Sequence, residues 1–145
     1  MYEIVDVTAQ AKLWDGQDPV RPEISAEFRM SPGRGVYGLF CGDKYLAFLC
    51  FAKTTAVPKN TVELDHLTSE NGRIVIPYTV WSNQKGCGRI IINKVLELAR
   101  LSENIDRVVT LSPQTEMARK FHLKNNAIEL QVNKTTVNFE YMLDE

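Results

Sequence analysis

The chain has 145 residues, of which 44% are hydrophobic, and its 17 basic and 18 acidic side chains leave a formal charge of −1. This length predicts one domain, residues 1–145, with enough apolar side chains to bury a core. A balanced charge provides no positive field that would hold a nucleic acid or an anionic membrane, and every apolar run is far shorter than the roughly 20 residues that span a bilayer. We therefore expect a soluble protein with no nucleic-acid or membrane partner.

The cysteines, the histidines and the first residues bear on the compartment and on metal binding. The 3 cysteines lack the spacing of metal ligands, and neither of the 2 histidines has a cysteine or a second histidine close by. The N-terminus lacks the basic and apolar regions of a signal peptide. We expect a cytoplasmic protein in a reducing compartment, with no metal site and no permanently bound cofactor. The sequence is compatible with a homo-oligomer.

Alternating and β-branched stretches predict strands, and apolar residues three and four apart predict helices. In the helix after residue 86, such a face consists of Ile91, Val95, Leu98 and Ala99. Pro113 suits the first turn of a later helix, which would make Ser112 its N-cap. In chain order, the predicted elements are a strand over residues 2–7, a short helix capped by Thr8, an irregular loop over 14–32 with one short element at 24–28, a hairpin of strands 35–41 and 45–54, a loop containing His66, a strand over 74–82, the helix after residue 86, a strand over 107–111, a helix over 113–126, and strands near 127–132 and 137–143. This order predicts a mixed α/β fold in which helices cover a central sheet.

A glycine-containing loop lies between a predicted strand and a predicted helix. Residues 81–89 read WSNQKGCGR, and Lys85, Arg89 and Lys94 concentrate positive charge there. A helix N-terminus exposes about four unpaired N–H groups, and glycines allow phosphate oxygens to reach them. The segment lacks the third glycine of a dinucleotide fingerprint and the Gly-Lys-Ser/Thr of a P-loop. We interpret it as a phosphate site, with a sharp turn for close packing of helix and strand as the alternative.

The strand, the Gly-x-Gly loop and the following helix resemble the coenzyme A pyrophosphate loop of the GNAT acyltransferase superfamily. Asn83 stands where the family usually has Arg or Gln. Residues 118–127, ARKFHLKNNA, are similar to the family's Ala-x-x-Leu-Tyr-x-Lys-x-Gly-Phe helix, with His122 at the tyrosine and Asn126 at the glycine. The resemblance implies a single-domain, GNAT-like α/β fold that separates its fourth and fifth strands to admit the pantetheine of a coenzyme A thioester, which would be the substrate.

Four short motifs resemble, in the same order, the catalytic half of malonyl-CoA decarboxylase, which has a GNAT fold. They are YTVWSN at 78–83, TLSP at 110–113, FHLKNNA at 121–127 and VNFEY at 137–141. The family's patterns are Tyr-Ser-Ile-Ser-Asn, Thr/Ser-Leu-Ser-Pro, Phe-His-x-x-Asn-Gly-Ala and Val-Asn-Tyr-x-Tyr. Together the motifs and the strand before them cover residues 35–143.

This resemblance implies that Ser112, His122 and Tyr141 are the catalytic residues. It also implies that pantetheine lies along the strand over residues 78–82 and that the pyrophosphate lies on the loop over residues 83–89. The predicted coenzyme A-binding residues are therefore Tyr78, Thr79, Val80, Trp81, Ser82, Asn83, Gln84, Lys85, Gly86, Cys87, Gly88 and Arg89.

The chemistry of a malonyl thioester is consistent with these residue types. Loss of CO2 leaves an enolate, so a site must stabilise charge on the thioester oxygen and then deliver a proton to carbon. His122 suits proton transfer near neutral pH, and Ser112 can hydrogen-bond the acyl group or the imidazole. A helix beginning at residue 113 would place the two about 15 Å apart along its axis, so a direct Ser–His pair needs a later start, for instance near Thr115. The leading hypothesis is a malonyl-CoA decarboxylase-like enzyme that yields acetyl-CoA and CO2.

Two other functions remain open. In an N-acetyltransferase, Glu63 or Asp65 could activate an amine through a water. A non-enzymatic module would bind coenzyme A or an acyl carrier, and it is favoured by Gly86, which stands where the decarboxylases have an acidic residue. Taken alone, Ser112 is also typical of a helix cap and His122 of a partly buried core histidine.

Overall fold

The computed structural model of the chain describes residues 1–143, and it confirms the mixed α/β architecture. Its helices and strands are β1 (Tyr2–Asp6), a 3-10 turn (Ala11–Leu13), α1 (Ala26–Met30), β2 (Arg34–Cys41), β3 (Lys44–Thr54), α2 (Thr61–Leu67), β4 (Ile74–Ser82), α3 (Cys87–Leu101), β5 (Arg107–Val109), β6 (Ser112–Pro113), α4 (Glu116–Lys124), β7 (Ile128–Val132) and β8 (Thr136–Tyr141). None of the helices in this part of the chain is long and apolar enough to cross a membrane.

The strands form one mixed sheet. Strands β1 to β4 are antiparallel neighbours, β4 and β5 are parallel, and β5 and β6 pair in succession with the same edge of β8, whose other edge pairs with β7. Within residues 1–143, β4 pairs with β5 only at Ile74 and Val75. The remaining residues of β4 therefore have no strand beside them on that edge, which is the separation that the GNAT-like fold predicts.

Apolar side chains cover both faces of the sheet. Helix α3 packs on one face, and the loop over residues 14–25 lies with α1 and α2 on the other. Leu98 was expected on the buried face of α3, yet it is 40% exposed, and Ile92 and Leu96 are buried instead. At 100° per residue, Leu98 falls about 75° from the centre of the buried stripe, and therefore at its edge.

The helix predicted from Pro113 is wrong, and so is the capping role that this helix gave Ser112. Ser112 and Pro113 form β6, in which Ser112 pairs with Val137 of β8. Helix α4 begins only after its N-cap Thr115, whose side chain accepts a hydrogen bond from the Ala118 amide. Pairing with β8 outweighs the local preference of a Ser-Pro sequence for a helix start.

Three smaller predictions also differ from the structure. Thr8 caps no helix, because its Oγ1 accepts from the Val36 amide, and the short element expected at 24–28 lies two residues later, as α1. His66 belongs to the last turn of α2, where a loop was expected. The missed helix had a local signal: Asn60 accepts from the Glu63 amide, and the Glu63 side chain accepts from the Lys59 amide, which is close to a capping box.

Candidate active site

A cavity of about 360 Å3 lies where β4 and β5 part. Its walls come from β4, from β6, from the first turn of α3, from the first two turns of α4, and from the loop before α1. The lining residues are Pro19, Val20, Pro77, Tyr78, Thr79, Val80, Trp81, Ser82, Gly88, Ser112, Pro113, Thr115, Met117, Ala118, Phe121 and His122. Among these described residues there is no Asp, Glu, Lys or Arg, so the cavity wall carries no permanent charge.

The guanidinium of Arg21 bridges the two sides of the gap. Its Nε donates to the Tyr78 carbonyl at 2.9 Å, and its Nη2 donates to the Leu111 carbonyl at 2.8 Å. Tyr78 is the extra residue of a β-bulge, because the pairing of β4 with β3 skips it, and a bulged residue is left out of the ladder. Burial lowers the pKa of Arg21 below its ordinary value, and the nearby Glu23 and Asp18 carboxylates offset only part of this effect. Arg21 thus supplies the hydrogen bonds that a neighbouring strand would supply elsewhere.

Asp18 holds Arg21 in this position. Its Oδ1 accepts from the backbone amides of Val20 and Arg21 and from the Thr79 hydroxyl at 3.0 Å. Its Oδ2 forms an ion pair with Arg29 at 2.8 Å, and Arg29 also donates to the Arg21 carbonyl. Because Asp18, Arg21 and Arg29 are all buried, this network fixes the loop before α1 against β4.

Ser112 lines the cavity as the first residue of β6, shortly after the end of β5. Its Oγ lies 2.8 Å from Thr110 Oγ1. The carbonyls of residues 110 and 111 are turned out of the ladder, because Asn138 Nδ2 donates to that of Thr110 and Arg21 to that of Leu111. Side chains therefore fix the segment that presents the serine.

His122 lies on α4 in an aromatic surrounding. Its Nδ1 is 2.7 Å from the Tyr141 hydroxyl, and its ring packs near Phe121, Phe139 and Tyr141. Burial lowers the pKa of His122 to about 4 and raises the pKa of Tyr141. The imidazole is therefore neutral near pH 7, whereas its suitability for proton transfer near that pH was argued from the ordinary pKa of histidine.

The two loop positions Gly86 and Gly88 require glycine for different structural reasons. Gly86 has φ +86° and stands just before α3, in the left-handed region that favours glycine. A Cβ on Gly88 would lie 3.3 Å from Cε1 of Phe121, so this glycine allows α3 and α4 to approach each other at the cavity. Lys85 and Arg89 are exposed on either side of the turn.

The structure brings together eight of the predicted site residues in the wall of the cavity. These are Tyr78, Thr79, Val80, Trp81, Ser82, Gly88, Ser112 and His122. Tyr141 lies behind His122 and contacts it directly. The remaining predicted residues, Asn83, Gln84, Lys85, Gly86, Cys87 and Arg89, lie outside the lining, and Cys87 is buried.

Ser112 and His122 have different hydrogen-bond partners, Thr110 and Tyr141, so the serine and the histidine are not joined directly within residues 1–143. Sequence reasoning assigned no role to Thr110, Asp18 or Arg21. For Thr110 the sequence contained a signal, since the TLSP motif starts with a hydroxyl residue. For Asp18 and Arg21 it contained none, because a charged residue in an irregular loop gives no local sign that it is buried. No three His, Cys, Asp or Glu side chains of the described chain gather as ligands for a metal ion.

Neither a protein-family model nor a curated protein sequence matches the chain, whereas solved structures do. The loading GNATL domain of CurA from Lyngbya majuscula is 12% identical and superposes with a TM-score of 0.74 over 99% of this chain and 98% of that one. The chain has the GNAT fold. The GNAT-like decarboxylase GphF, in complex with isobutyryl-CoA, is 15% identical with a TM-score of 0.75, over 98% of this chain and 100% of that one.

Malonyl-CoA decarboxylase from Agrobacterium vitis has the same GNAT fold in part of its length. It is 20% identical with a TM-score of 0.60, and the match covers 83% of this chain and 35% of that one. The chain therefore spans about a third of that decarboxylase. N-acetyltransferases share the fold as well. The resemblance to malonyl-CoA decarboxylase that the four motifs indicate is confirmed at the level of the fold.

Proposed function

We propose that the chain decarboxylates malonyl-CoA to acetyl-CoA and CO2, with Ser112 and His122 as hydrogen-bond donors to the thioester oxygen. The observation that supports this most is the cavity wall, which offers these two side chains and, among the described residues, no carboxylate. Decarboxylation needs stabilisation of a developing oxyanion and does not need a base. The solved GNAT-like decarboxylases make this reaction class plausible for the fold.

The state of His122 follows from its contact with Tyr141. Within residues 1–143, His122 Nδ1 is the hydrogen-bond partner of the Tyr141 hydroxyl. A buried phenol proton without an acceptor costs about 1–3 kcal/mol, so Tyr141 donates to Nδ1. Because the low pKa keeps the ring neutral, its single proton is on Nε2, the nitrogen left for the cavity. Tyr141 is then a positioning residue that sets the tautomer.

The reaction follows from this arrangement. The bond between the carboxylate carbon and Cα breaks, CO2 leaves, and the electron pair passes to Cα and the thioester oxygen. Hydrogen bonds from Ser112 and from His122 Nε2 stabilise the enolate, and removal of one such donor typically costs about 3 kcal/mol of barrier. Cα then takes a proton, either from a water in the cavity or from Nε2, which solvent water reprotonates, so that the net proton comes from solvent and the product is acetyl-CoA.

In this proposal, coenzyme A lies across the open edge of β4 and the start of α3. The pantetheine runs along the unpaired edge of β4, whose backbone can hydrogen-bond its amides, and the pyrophosphate lies on the first turn of α3 beside Lys85 and Arg89. GphF in complex with isobutyryl-CoA and an N-acetyltransferase in complex with acetyl-CoA support an acyl-CoA ligand.

An N-acetyltransferase reaction is the weaker candidate because an amine acceptor needs a base. Glu63 accepts from the Lys59 amide, Asp65 forms an ion pair with Arg34 at 2.6 Å, and neither residue lines the cavity. Both carboxylates therefore serve the structure of α2 and its surroundings.

The test is to incubate the protein with malonyl-CoA, and separately with acetyl-CoA and a panel of amines, and to follow the thioesters by mass spectrometry. We expect acetyl-CoA from malonyl-CoA, reduced at least 100-fold in Ser112→Ala and in His122→Ala. His66→Ala, on the exposed histidine of α2, is the matched control and should be as active as the wild type. Free coenzyme A released only with an amine would establish the acetyltransferase instead, and binding without turnover would establish the non-enzymatic module.

A further inference from the structure

Thr110 has an unusual set of contacts for a residue between two strands. It is fully buried, and its backbone amide donates to the Phe139 carbonyl. Its Oγ1 accepts from the Phe139 amide at 3.1 Å, which in a regular ladder would bond to the Thr110 carbonyl. That carbonyl accepts from Asn138 Nδ2 at 2.8 Å. The strand is therefore distorted here, and the threonine side chain takes over one of its backbone bonds.

The hydrogen bond between Thr110 and Ser112 can run in either direction, and the surroundings decide which. If Ser112 donated, the Thr110 proton would need an acceptor, and within residues 1–143 Ser112 Oγ is the acceptor that Thr110 Oγ1 can reach. A buried proton without an acceptor is costly because it has lost its bond to water. If Thr110 donates, the Ser112 proton points elsewhere, and Ser112 lines the cavity where a water or a ligand can accept it.

We propose that Thr110 is a positioning residue that donates to Ser112 Oγ and thereby turns the Ser112 proton into the cavity. For its effect on turnover this inference rests on the decarboxylation proposed above. In the reverse arrangement Ser112 would present only lone pairs to a substrate and could not stabilise an enolate oxygen. The donor role of Ser112 thus depends on a buried threonine that the substrate does not touch.

The direction of the bond can be measured without any ligand. Neutron diffraction from a deuterium-exchanged crystal of the unliganded protein locates hydroxyl deuterons. We expect the deuteron between the two oxygens to lie on Thr110 Oγ1, with the Ser112 deuteron directed into the cavity. A deuteron on Ser112 that points at Thr110 would overturn the proposal, whatever reaction the protein catalyses.

The positioning role is tested by comparing acetyl-CoA with S-ethyl-CoA, a thioether that lacks the carbonyl oxygen. One hydrogen bond corresponds to about a 5-fold change in affinity, so Ser112→Ala should weaken acetyl-CoA binding about 5-fold and leave S-ethyl-CoA unaffected. Thr110→Val should produce the same selective loss, and Thr110→Ser should restore binding. Thr110→Val added to Ser112→Ala should cost nothing further, because the threonine acts through the serine.

Stability and turnover complete the test. Thr110→Val leaves the Phe139 amide without a partner, so Thr110→Cys, whose thiol has a similar volume and forms weak hydrogen bonds, is measured in parallel. Its stability and its affinity for acetyl-CoA should lie between those of the wild type and of Thr110→Val.

On malonyl-CoA, Thr110→Val should lower kcat with little change in KM. Equal losses for both ligands, or additive losses in the double variant, would assign Thr110 a purely structural role. An inactive wild type with the expected deuteron position would reject decarboxylation and leave the orientation of Ser112 intact.

Discussion

The two ends of β4 are held in different ways. At its start, Ile74 and Val75 pair with β5 through the backbone, whereas its later residues face β6 across a gap that the side chain of Arg21 bridges. Backbone pairing closes the sheet at a fixed spacing of about 4.8 Å. A guanidinium between two carbonyls holds the strands further apart and still satisfies their polar groups. The closed end of the gap therefore provides rigidity, and the open end provides the cavity.

Removal of Arg21 tests this comparison most severely. Arg21→Met leaves the buried carbonyls of Tyr78 and Leu111 unpaired, at about 1–3 kcal/mol each, so we expect a loss of about 4 kcal/mol in the free energy of unfolding. Urea titration followed by circular dichroism measures it. Arg73→Met is the matched control at the paired end: its partner Asp106 is exposed, so the midpoint should hardly move. An equal effect of the two variants would remove the distinction between the ends.

The pH dependence of stability tests the burial of His122 in the wall of the cavity. The pKa of His122 is about 4 in the folded protein, below the ordinary value of 6.5 that an unfolded chain restores. Between these pH values the histidine binds a proton in the unfolded state and not in the folded state. The contribution of His122 to the free energy of unfolding is therefore fully present above about pH 6.5 and falls as the pH drops toward 4, by about 3 kcal/mol in total. Urea midpoints measured from pH 7 to pH 4 should show this decrease in stability, and His122→Gln should remove the share of the decrease that His122 causes. His66→Gln, on an exposed histidine, should leave the decrease in place.

Tyr141→Phe tests whether the hydroxyl sets the histidine tautomer. Without the donor at Nδ1, the proton of His122 is no longer held on Nε2, so we expect kcat for malonyl-CoA to fall about 10-fold with KM unchanged, and stability to fall by about 1 kcal/mol. Tyr37→Phe is the control, because Tyr37 stacks on Phe51 away from the cavity. A rise in KM alone would mean that Tyr141 shapes the cavity and leaves the tautomer unaffected.

The closed and open ends also differ in how far sequence reasoning could predict them. Strand β4 and its apolar neighbours have a local pattern, so hydrophobic alternation located them. The TLSP and FHLKNNA motifs located Ser112 and His122. The position of Arg21 could not be read in this way, because its partners are 57 and 90 residues away in the chain and its own segment has no regular pattern.

The helix start shows the same limit at shorter range. Ser112 followed by Pro113 fits a helix cap by local preference, yet the partner strand β8 draws both residues into the sheet and α4 begins three residues later. The tautomer and low pKa of His122 also depend on residues that are distant in the chain, Phe139 and Tyr141. Local patterns thus located the side chains to which the proposed function assigns the chemistry, and long-range contacts determine their state.

Gly88→Ala is expected to have the smallest effect, and its sign depends on one neighbour. Alanine within a helix gains about 0.5–1 kcal/mol over glycine, but its Cβ would lie 3.3 Å from Phe121, so this ring, which lines the cavity, must shift by a few tenths of an ångström. We expect almost no change in stability and an approximately 3-fold rise in KM for an acyl-CoA, because a narrower cavity end costs a fraction of the binding free energy. Phe121→Leu combined with Gly88→Ala should restore KM, since the smaller side chain removes the contact.

Gly86→Ala is the control, because it is unfavourable for a different reason. Its Cβ would meet nothing within 4 Å, and the obstacle is the backbone conformation at φ +86°, so Phe121→Leu should not compensate for it. Rescue of both glycine variants by Phe121→Leu would contradict the separate roles of turn and packing at the open end.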